Sequence, residues 1–343
     1  MYIENKQLKK YVSYWLFGMF WIISIMIVVG GLTRLTDSGL SITEWQLFSG
    51  IIPPINESQW NYYFDLYKKI PEYKLQNYEM SLKEFKVIYW WEFIHRFLGR
   101  VIGIFFLLPL IFLFIKLGFN RIKNLLFIFI LICFQGFVGW YMVSSGLVDR
   151  VDVSHYRLSI HLILAFIILS LIFWNYLRLI EIDISNIKIK FKLPIYFLLT
   201  IYLQIIIGAF VSGLDAGQIY NSWPLMGNSL FPDDNSLKNL LHISAFNDPS
   251  LVQFIHRNLA YLILILYLFI LLNVYKNKLS NFFKTMMLLG CLLLLQILLG
   301  ILTLLSGAQI FLASMHQISS IFLVSTSIYL IYLNSNTNLQ PSN

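Results

Sequence analysis

Charge is what this chain has least of. Only 12% of its 343 residues are Asp, Glu, Lys or Arg, about half the share of a water-soluble domain, while 58% are hydrophobic and the mean hydropathy is +0.71. A soluble globule is excluded, and so is a disordered chain, which needs few apolar residues and much charge. Cysteine is scarce too. Cys133 and Cys291 are the only two, and both fall inside apolar runs, which excludes a disulfide-stapled secreted module. They are expected to be buried free thiols that behave as small hydrophobes.

What is abundant is the long apolar run. Eight stretches reach the roughly 20 residues that cross a bilayer: 14–32, 90–115, 125–143, 158–177, 194–211, 252–275, 285–305 and 311–333. The fold class expected is an all-α integral membrane protein. The first run follows Lys6, Lys9 and Lys10 in the manner of a signal peptide, but it is too long for one and no small-x-small cleavage site follows, so it reads as a retained helix.

Charge placement orients the helices. With the N-terminus in the cytoplasm, the inner segments carry Lys6, Lys9 and Lys10, then Lys116, Arg121 and Lys123, then Arg178, Lys188, Lys190 and Lys192, then Lys276, Lys278 and Lys284, against the acids Glu4, Glu181 and Asp183. The net charge of +8 therefore lies on one side, the positive-inside pattern. It reports topology, with both termini cytoplasmic, and contact with lipid rather than with nucleic acid.

The chain repeats itself. At an offset of 161, Phe93-Ile94-His95-Arg96 maps onto Phe254-Ile255-His256-Arg257, Gln135 onto Gln296, Gly139 onto Gly300 and Ser145-Gly146 onto Ser306-Gly307. At 178, Gly30, Asp37, Gly39, Trp45 and Pro54 map onto Gly208, Asp215, Gly217, Trp223 and Pro232; at 155, Ser159 and His161 map onto Ser314 and His316. The change of offset marks an insertion in the first outer loop, around 57–86. Two parallel-repeat four-helix bundles are expected, related by an axis along the membrane normal: residues 1–180 form one half, 181–193 a cytoplasmic linker and 194–343 the other half.

Ionisable groups inside a membrane are costly, so those retained are functional candidates. His155 and His242 belong to outer loops and read as solvated. His95, His161, His256 and His316 occupy one equivalent place in each even-numbered span. A single intramembrane histidine is usually a packing residue, but four at one depth, two per repeat, are hard to explain by packing. Two imidazoles on facing helices can hold a flat iron porphyrin between them, and bundle cores are where such sites are built. Zinc fits less well, because each pair lacks further ligands at suitable spacing. Arg96 and Arg257, with Arg100 and Arg157 nearby, stand where propionates could meet them, although interfacial snorkelling also explains a lone arginine. Gly139, Gly146, Gly300 and Gly307 would allow close approach of a helix or a ring. The outer-loop residues Arg34, Asp37, Glu44 and Asp215 could cover the sites, and their repeated members read as shared loop architecture.

The halves differ at one place. Glu92 stands three residues before His95, on the same helix face, and its counterpart is Gln253. A first-turn carboxylate at a helix N-terminus is one explanation; acid-base or charge-stabilising chemistry in the first half, with an electron-carrying haem in the second, is the sharper one.

The run Gly30 to Ser41 with Glu44-Trp45, the motif Glu92 to Arg96, its echo Gln253 to Arg257, and Met315-His316-Gln317 resemble the haem A synthase family across all eight spans. The resemblance implies an oxidoreductase acting on a CH3 group, converting haem O to haem A for cytochrome oxidase assembly by oxidising one porphyrin methyl to a formyl group. It implies a haem b cofactor with His256 and His316 as iron ligands and Arg257 and Arg96 as cofactor-binding residues. His95 and His161 would hold or flank the iron of the substrate haem, and Glu92 would be the catalytic acidic residue. The partners implied are haem O, haem O synthase and cytochrome oxidase assembly factors, with self-association left open. Some members carry a cysteine pair in the first outer loop; this chain resembles the subgroup without it, so a mechanism using those thiols is not expected. No transit segment is visible, which points to a bacterial plasma membrane. An electron-passing bis-histidine cytochrome is the main alternative, and a parallel-repeat transporter leaves the paired histidines unexplained.

Overall fold

The structure, a computed structural model, describes residues 3–45, 49–180, 189 and 192–335. The linker expected over 181–193 lies outside them except for Ile189, Lys192 and Leu193. Among the described residues there is no β-strand, and eight helices are long and apolar enough to cross a membrane. These are α1 (Lys6–Leu35), α4 (Leu82–Leu117), α5 (Phe119–Asp149), α6 (His155–Leu179), α7 (Leu193–Gly213), α8 (Pro249–Lys276), α9 (Ser280–Leu305) and α10 (Ile310–Asn334); the short helices α2 (Glu57–Tyr67) and α3 (Pro71–Leu75) lie in the inserted loop. The chain is a multi-pass helical membrane protein.

Each expected span falls within one of these helices, and α1, α4 and α8 begin at side-chain caps. Asn5 accepts from the Leu8 N–H, Ser81 and Glu84 form a reciprocal capping box, and Asp248 accepts from Leu251 N–H ahead of Pro249 in the first turn. Pro109 sits inside α4, where it gives no N–H to the carbonyl four residues back. That carbonyl, Phe105 O, instead accepts the indole N–H of Trp15 at 3.1 Å. In an apolar slab, a carbonyl left unpaired costs about 1–3 kcal/mol, so the proline of α4 is matched by a tryptophan of α1.

The packing has a centre and two flanks. Helix α1 packs on α4, α6 and α10, and α7 packs on α6, α8 and α10, while α4–α5–α6 and α8–α9–α10 complete the circuits. Thus α1, α6, α7 and α10 form the middle and are the most buried spans. Cys133 and Cys291 lie on the flanking helices and are exposed on the bundle surface. This corrects the expectation of buried thiols: helical phase turns them toward lipid, an apolar setting that needs no protein cover.

The inserted loop builds its own small core. Tyr67 and Phe85 are fully buried against Trp60, Phe64 and Tyr89. Glu72 is only 2% exposed there; its Oε1 accepts from Tyr67 Oη at 3.2 Å, and that hydroxyl also accepts from Asn77 Nδ2 at 2.8 Å. Burial, with the nearby charges of Glu92 and Asp152, pushes the Glu72 carboxyl up to about 8, while the Tyr67 hydrogen bond pulls the other way. A carboxyl raised in the fold stabilises it fully below its ordinary value and loses that contribution as pH rises through the folded value. Resistance of segment 57–81 to proteolysis in detergent is therefore expected to fall between about pH 5 and pH 8, and Glu72→Gln is expected to flatten that fall.

Candidate functional site

Four glycines explain how four imidazoles fit between helices. A Cβ added to Gly30 of α1 would lie 2.9 Å from Cε1 of His95 on α4; one on Gly139 of α5 would lie 2.9 Å from that of His161 on α6. The second half repeats the contact, with Gly208 of α7 at 3.1 Å from His256 on α8 and Gly300 of α9 at 2.9 Å from His316 on α10. Each histidine therefore rests its ring edge on a neighbouring backbone that only glycine leaves open. Gly146 instead admits Leu40 and Val153, and Gly307 takes φ +68° in the turn after α9 with nothing near its Cβ position. Only two of the four glycines expected to allow close approach, Gly139 and Gly300, serve a ring.

His95 and His161 face one another, with ring centroids 6.3 Å apart and planes at 52°. A metal–imidazole bond of about 2 Å on each side, with about 1 Å from ring centre to nitrogen, puts two trans imidazoles on one metal about 6 Å apart. Among the described residues no group of three or more His, Cys, Asp and Glu converges on a metal position, so remaining ligands would have to come from the bound group, as a porphyrin supplies them. The buried Nδ1 atoms of His95, His161 and His256 have no hydrogen-bond partner. The residues present fit an iron porphyrin.

Glutamines add to this frame. Gln135, Gln204 and Gln296 each precede a glycine of the imidazole wall by four residues, one turn away on the same face. Gln135 and Gln204 donate to the main-chain carbonyls of His161 and His256, both at 3.0 Å, and Gln204 Nε2 is also 3.2 Å from His256 Nε2. Gln296 Nε2 lies 3.2 and 3.3 Å from the two ring nitrogens of His316, whose Nδ1 is 3.0 Å from the Gln296 carbonyl. A ring held this way through Nδ1 presents Nε2. Sequence reading noted Gln135 and Gln296 as repeat markers and missed their purpose; the signal was the Gln-x-x-x-Gly spacing, present in three odd-numbered spans and replaced by Met26 in the first.

Glu92 is 2% exposed and closes the loop after α1. Its Oε2 accepts from Ser41 Oγ and Ile42 N–H, both at 2.7 Å; its Oε1 accepts from Arg96 Nε and Nη2 at 3.0 and 2.6 Å. Arg96 also donates to the carbonyls of Ile42 at 2.8 Å and Glu44 at 3.3 Å. In the second half, Gln253 donates to the carbonyls of Ala216 at 2.8 Å and Tyr220 at 3.3 Å, and Arg257 donates to Gln253 Oε1 at 3.1 Å and Tyr220 O at 3.0 Å. Tyr220 is the counterpart of Ile42, so one latch is built twice, with a carboxylate and then with an amide. Arg157 donates to Ser145 Oγ and lies over the Tyr141 ring. Arg100 lines, with Arg96, Tyr89 and Phe93, a cavity of about 20 Å³.

Arg34 had not been expected to join the halves. It reaches Asp37 at 2.6 Å, Asp215 at 2.9 Å, Asp152 at 3.7 Å and the Ser212 carbonyl at 2.8 Å. Asp37 and Asp215, equivalent in the repeat, both adopt left-handed backbone, φ 48° and 50°. Burial raises the Asp152 carboxyl, against the opposing pull of Arg34. His242 is exposed as expected, but His155 is 6% exposed, packed on Tyr156 and Phe210. That corrects its reading as a solvated loop residue: it opens α6, and Gly213 lets that helix start sit against the end of α7.

Fold and site together define a polytopic helical membrane protein built around paired histidines. The sequence model described as cytochrome oxidase assembly protein (COX15-CtaA) matches residues 13–328, and the chain belongs to that family. It is 51% identical over 338 residues to the heme A synthase of Pelagibacter ubique, covering 98% of this chain and 100% of that protein. It is 43% identical over 338 residues to the heme A synthase of Rickettsia bellii, covering 96% and 100%, and 40% identical over 344 residues to that of Flavobacterium johnsoniae, covering 95% and 98%.

The glycine walls generate a prediction. Gly139→Ala and Gly300→Ala are expected to displace His161 and His316 and to cost about 1–3 kcal/mol through overpacking. With haem supplied, the optical spectrum of each variant should show weakened axial ligation. Gly103→Ala, with nothing within 4 Å of its Cβ position, should show none.

Proposed function

We propose that this protein is a haem A synthase, an enzyme that oxidises one methyl group of haem O to the formyl group of haem A for cytochrome oxidase assembly. The observation that carries the reading is the facing pair His95 and His161, 6.3 Å between ring centroids, each imidazole seated on a glycine. The site is matched to a flat iron porphyrin, and relatives of near-identical length are named heme A synthase.

On this reading residues 1–180 form the substrate half, where His95 and His161 would hold or flank haem O, and residues 194–343 form the cofactor half, where His256 and His316 would hold haem b. Haem iron held by two imidazoles supplies one-electron chemistry when bound. Arg96 and Arg257 are placed to support propionates, although their present hydrogen bonds go to the latches. The membrane is a bacterial plasma membrane, with both termini on the cytoplasmic side, where the basic residues lie. Haem O synthase and oxidase assembly factors are the proposed partners at the two ends of the reaction.

Glu92 is the proposed catalytic carboxylate. Its carboxylate accepts from Ser41, the Ile42 N–H and Arg96, and it shares a helix face with His95. A fixed negative charge there can stabilise positive charge that develops on the substrate during oxidation. Gln253 supports the same latch without charge, so charge rather than shape is the property that distinguishes the halves.

Two substitutions test these roles. Glu92→Gln, expressed with a haem O source, should keep bound haem and a closed loop while formyl haem in extracted pigments falls by at least tenfold, about 1.4 kcal/mol of transition-state stabilisation; an unchanged yield would reduce Glu92 to a latch. His256→Ala should abolish the low-spin haem b signal while the protein still inserts, and an unaltered spectrum would refute the ligand assignment. A wild-type protein that binds haem b yet makes no hydroxylated or formyl haem would instead be an electron-passing cytochrome.

A further inference from the structure

Gly30 and Gly31 are neighbours in α1, and the space beside each is taken by a different half of the molecule. The Cβ position of Gly30 meets His95. That of Gly31 is occupied by the side-chain amide of Gln317, which follows His316 on α10. Gln317 Nε2 donates to the Ile27 carbonyl at 3.0 Å. Ile27 O is also the helical acceptor for the Gly31 N–H, so a second donor from α10 is inserted into the hydrogen-bond ladder of α1.

This crossing is not repeated. Helix α10 meets α1 as α6 meets α7. At the latter crossing the residue equivalent to Gln317 is Leu162 and the residue equivalent to Gly31 is Ala209; Ala209 is buried and Leu162 packs against the apolar core. Both partners of the polar contact have been replaced there by apolar groups. A polar amide in a membrane interior is expensive unless it is bonded, and a leucine stands at the equivalent position of the repeat. Packing alone therefore does not call for Gln317. What the amide adds is a directional bond that fixes the height of α10 against α1, at the residues flanking His316 on one helix and backing His95 on the other.

We propose that Gln317 is a positioning residue that registers the two histidine sites against each other through the Gly30–Gly31 wall, so that a change at His95 is felt at His316. The inference rests on the assignment of these histidines to haem given above. Its test uses the full chain loaded with haem b and reads the midpoint potential and the low-spin resonance spectrum, not turnover. In the wild-type background, His95→Ala is expected to shift the haem b potential. In the Gln317→Leu and Gly31→Ala backgrounds the same His95→Ala change should produce no shift, and in the Gly103→Ala background the full wild-type shift should persist. Gln317→Met keeps the length and has no donor for Ile27, so it carries the same comparison should Gln317→Leu fail to hold haem b. An equal shift in all backgrounds, or no shift in the wild type, overturns the proposal. Absence of low-spin haem b from the wild type would instead remove the haem assignment itself, a failure separate from that of the coupling.

Discussion

Inside a hydrocarbon slab no water completes a hydrogen bond, and every polar atom must find its partner in the protein. Most of this structure is legible as obedience to that constraint. Pro109 frees a carbonyl in α4, and Trp15 of α1 takes it. Tyr202 of α7 donates to Ser170 of α6, which donates to its own helix at Phe166 O, and Tyr267 of α8 donates to Met286 O of α9. Each such bond contributes about 1 kcal/mol net and costs about 1–3 kcal/mol if broken in place, so they fix which helices touch and at what height. The Nδ1 atoms of His95, His161 and His256 stand among the buried polar atoms without a hydrogen-bond partner, as do both ring nitrogens of His155.

Duplication supplies the frame and local substitution supplies the chemistry. The imidazole-on-glycine contact occurs four times and the arginine latch twice, with the equivalent carbonyls of Ile42 and Tyr220 accepting in the two copies. Several positions at these contacts depart from the repeat. Glu92 stands against Gln253, Gln317 against Leu162, Gly31 against Ala209 and Arg34 against Ser212. Arg34 donates to the carbonyl of Ser212, so this cation of one half closes on its own counterpart in the other. Three of these four pairs lie at contacts between the halves. Two equal bundles would have no reason to hold a defined relation; the unequal residues provide one.

Helix number, span positions and the candidate histidines were readable from the chain because apolar length and isolated polar residues are signals local in sequence. The walls were half readable: Gly30, Gly139, Gly208 and Gly300 stand out as repeat positions, yet only the packing shows that an imidazole lies over each. Arg34, Gln204 and Gln317 were not readable as contacts, since their partners lie far away in sequence and nothing in their spacing marks them. His155 was misjudged because it sits beyond the apolar run; its burial depends on Gly213, a residue of a different helix. The thiols were misjudged for a different reason. Hydrophobicity reports that Cys133 and Cys291 avoid water, and in a membrane protein the lipid face and the interior satisfy that equally.

The latch pair carries the comparison of the two sites furthest. Arg96 is neutralised by Glu92 at 2.6 Å, whereas Arg257 meets an amide oxygen and two carbonyls, and no carboxylate pairs with it among the described residues. Geometry is conserved between the latches and net charge is not. The first half also carries Arg100 and Arg157, where the repeat places the uncharged Tyr261 and Leu312 in the second, so the exchange of Glu92 for Gln253 sets the charge of the latch and not that of the half around it.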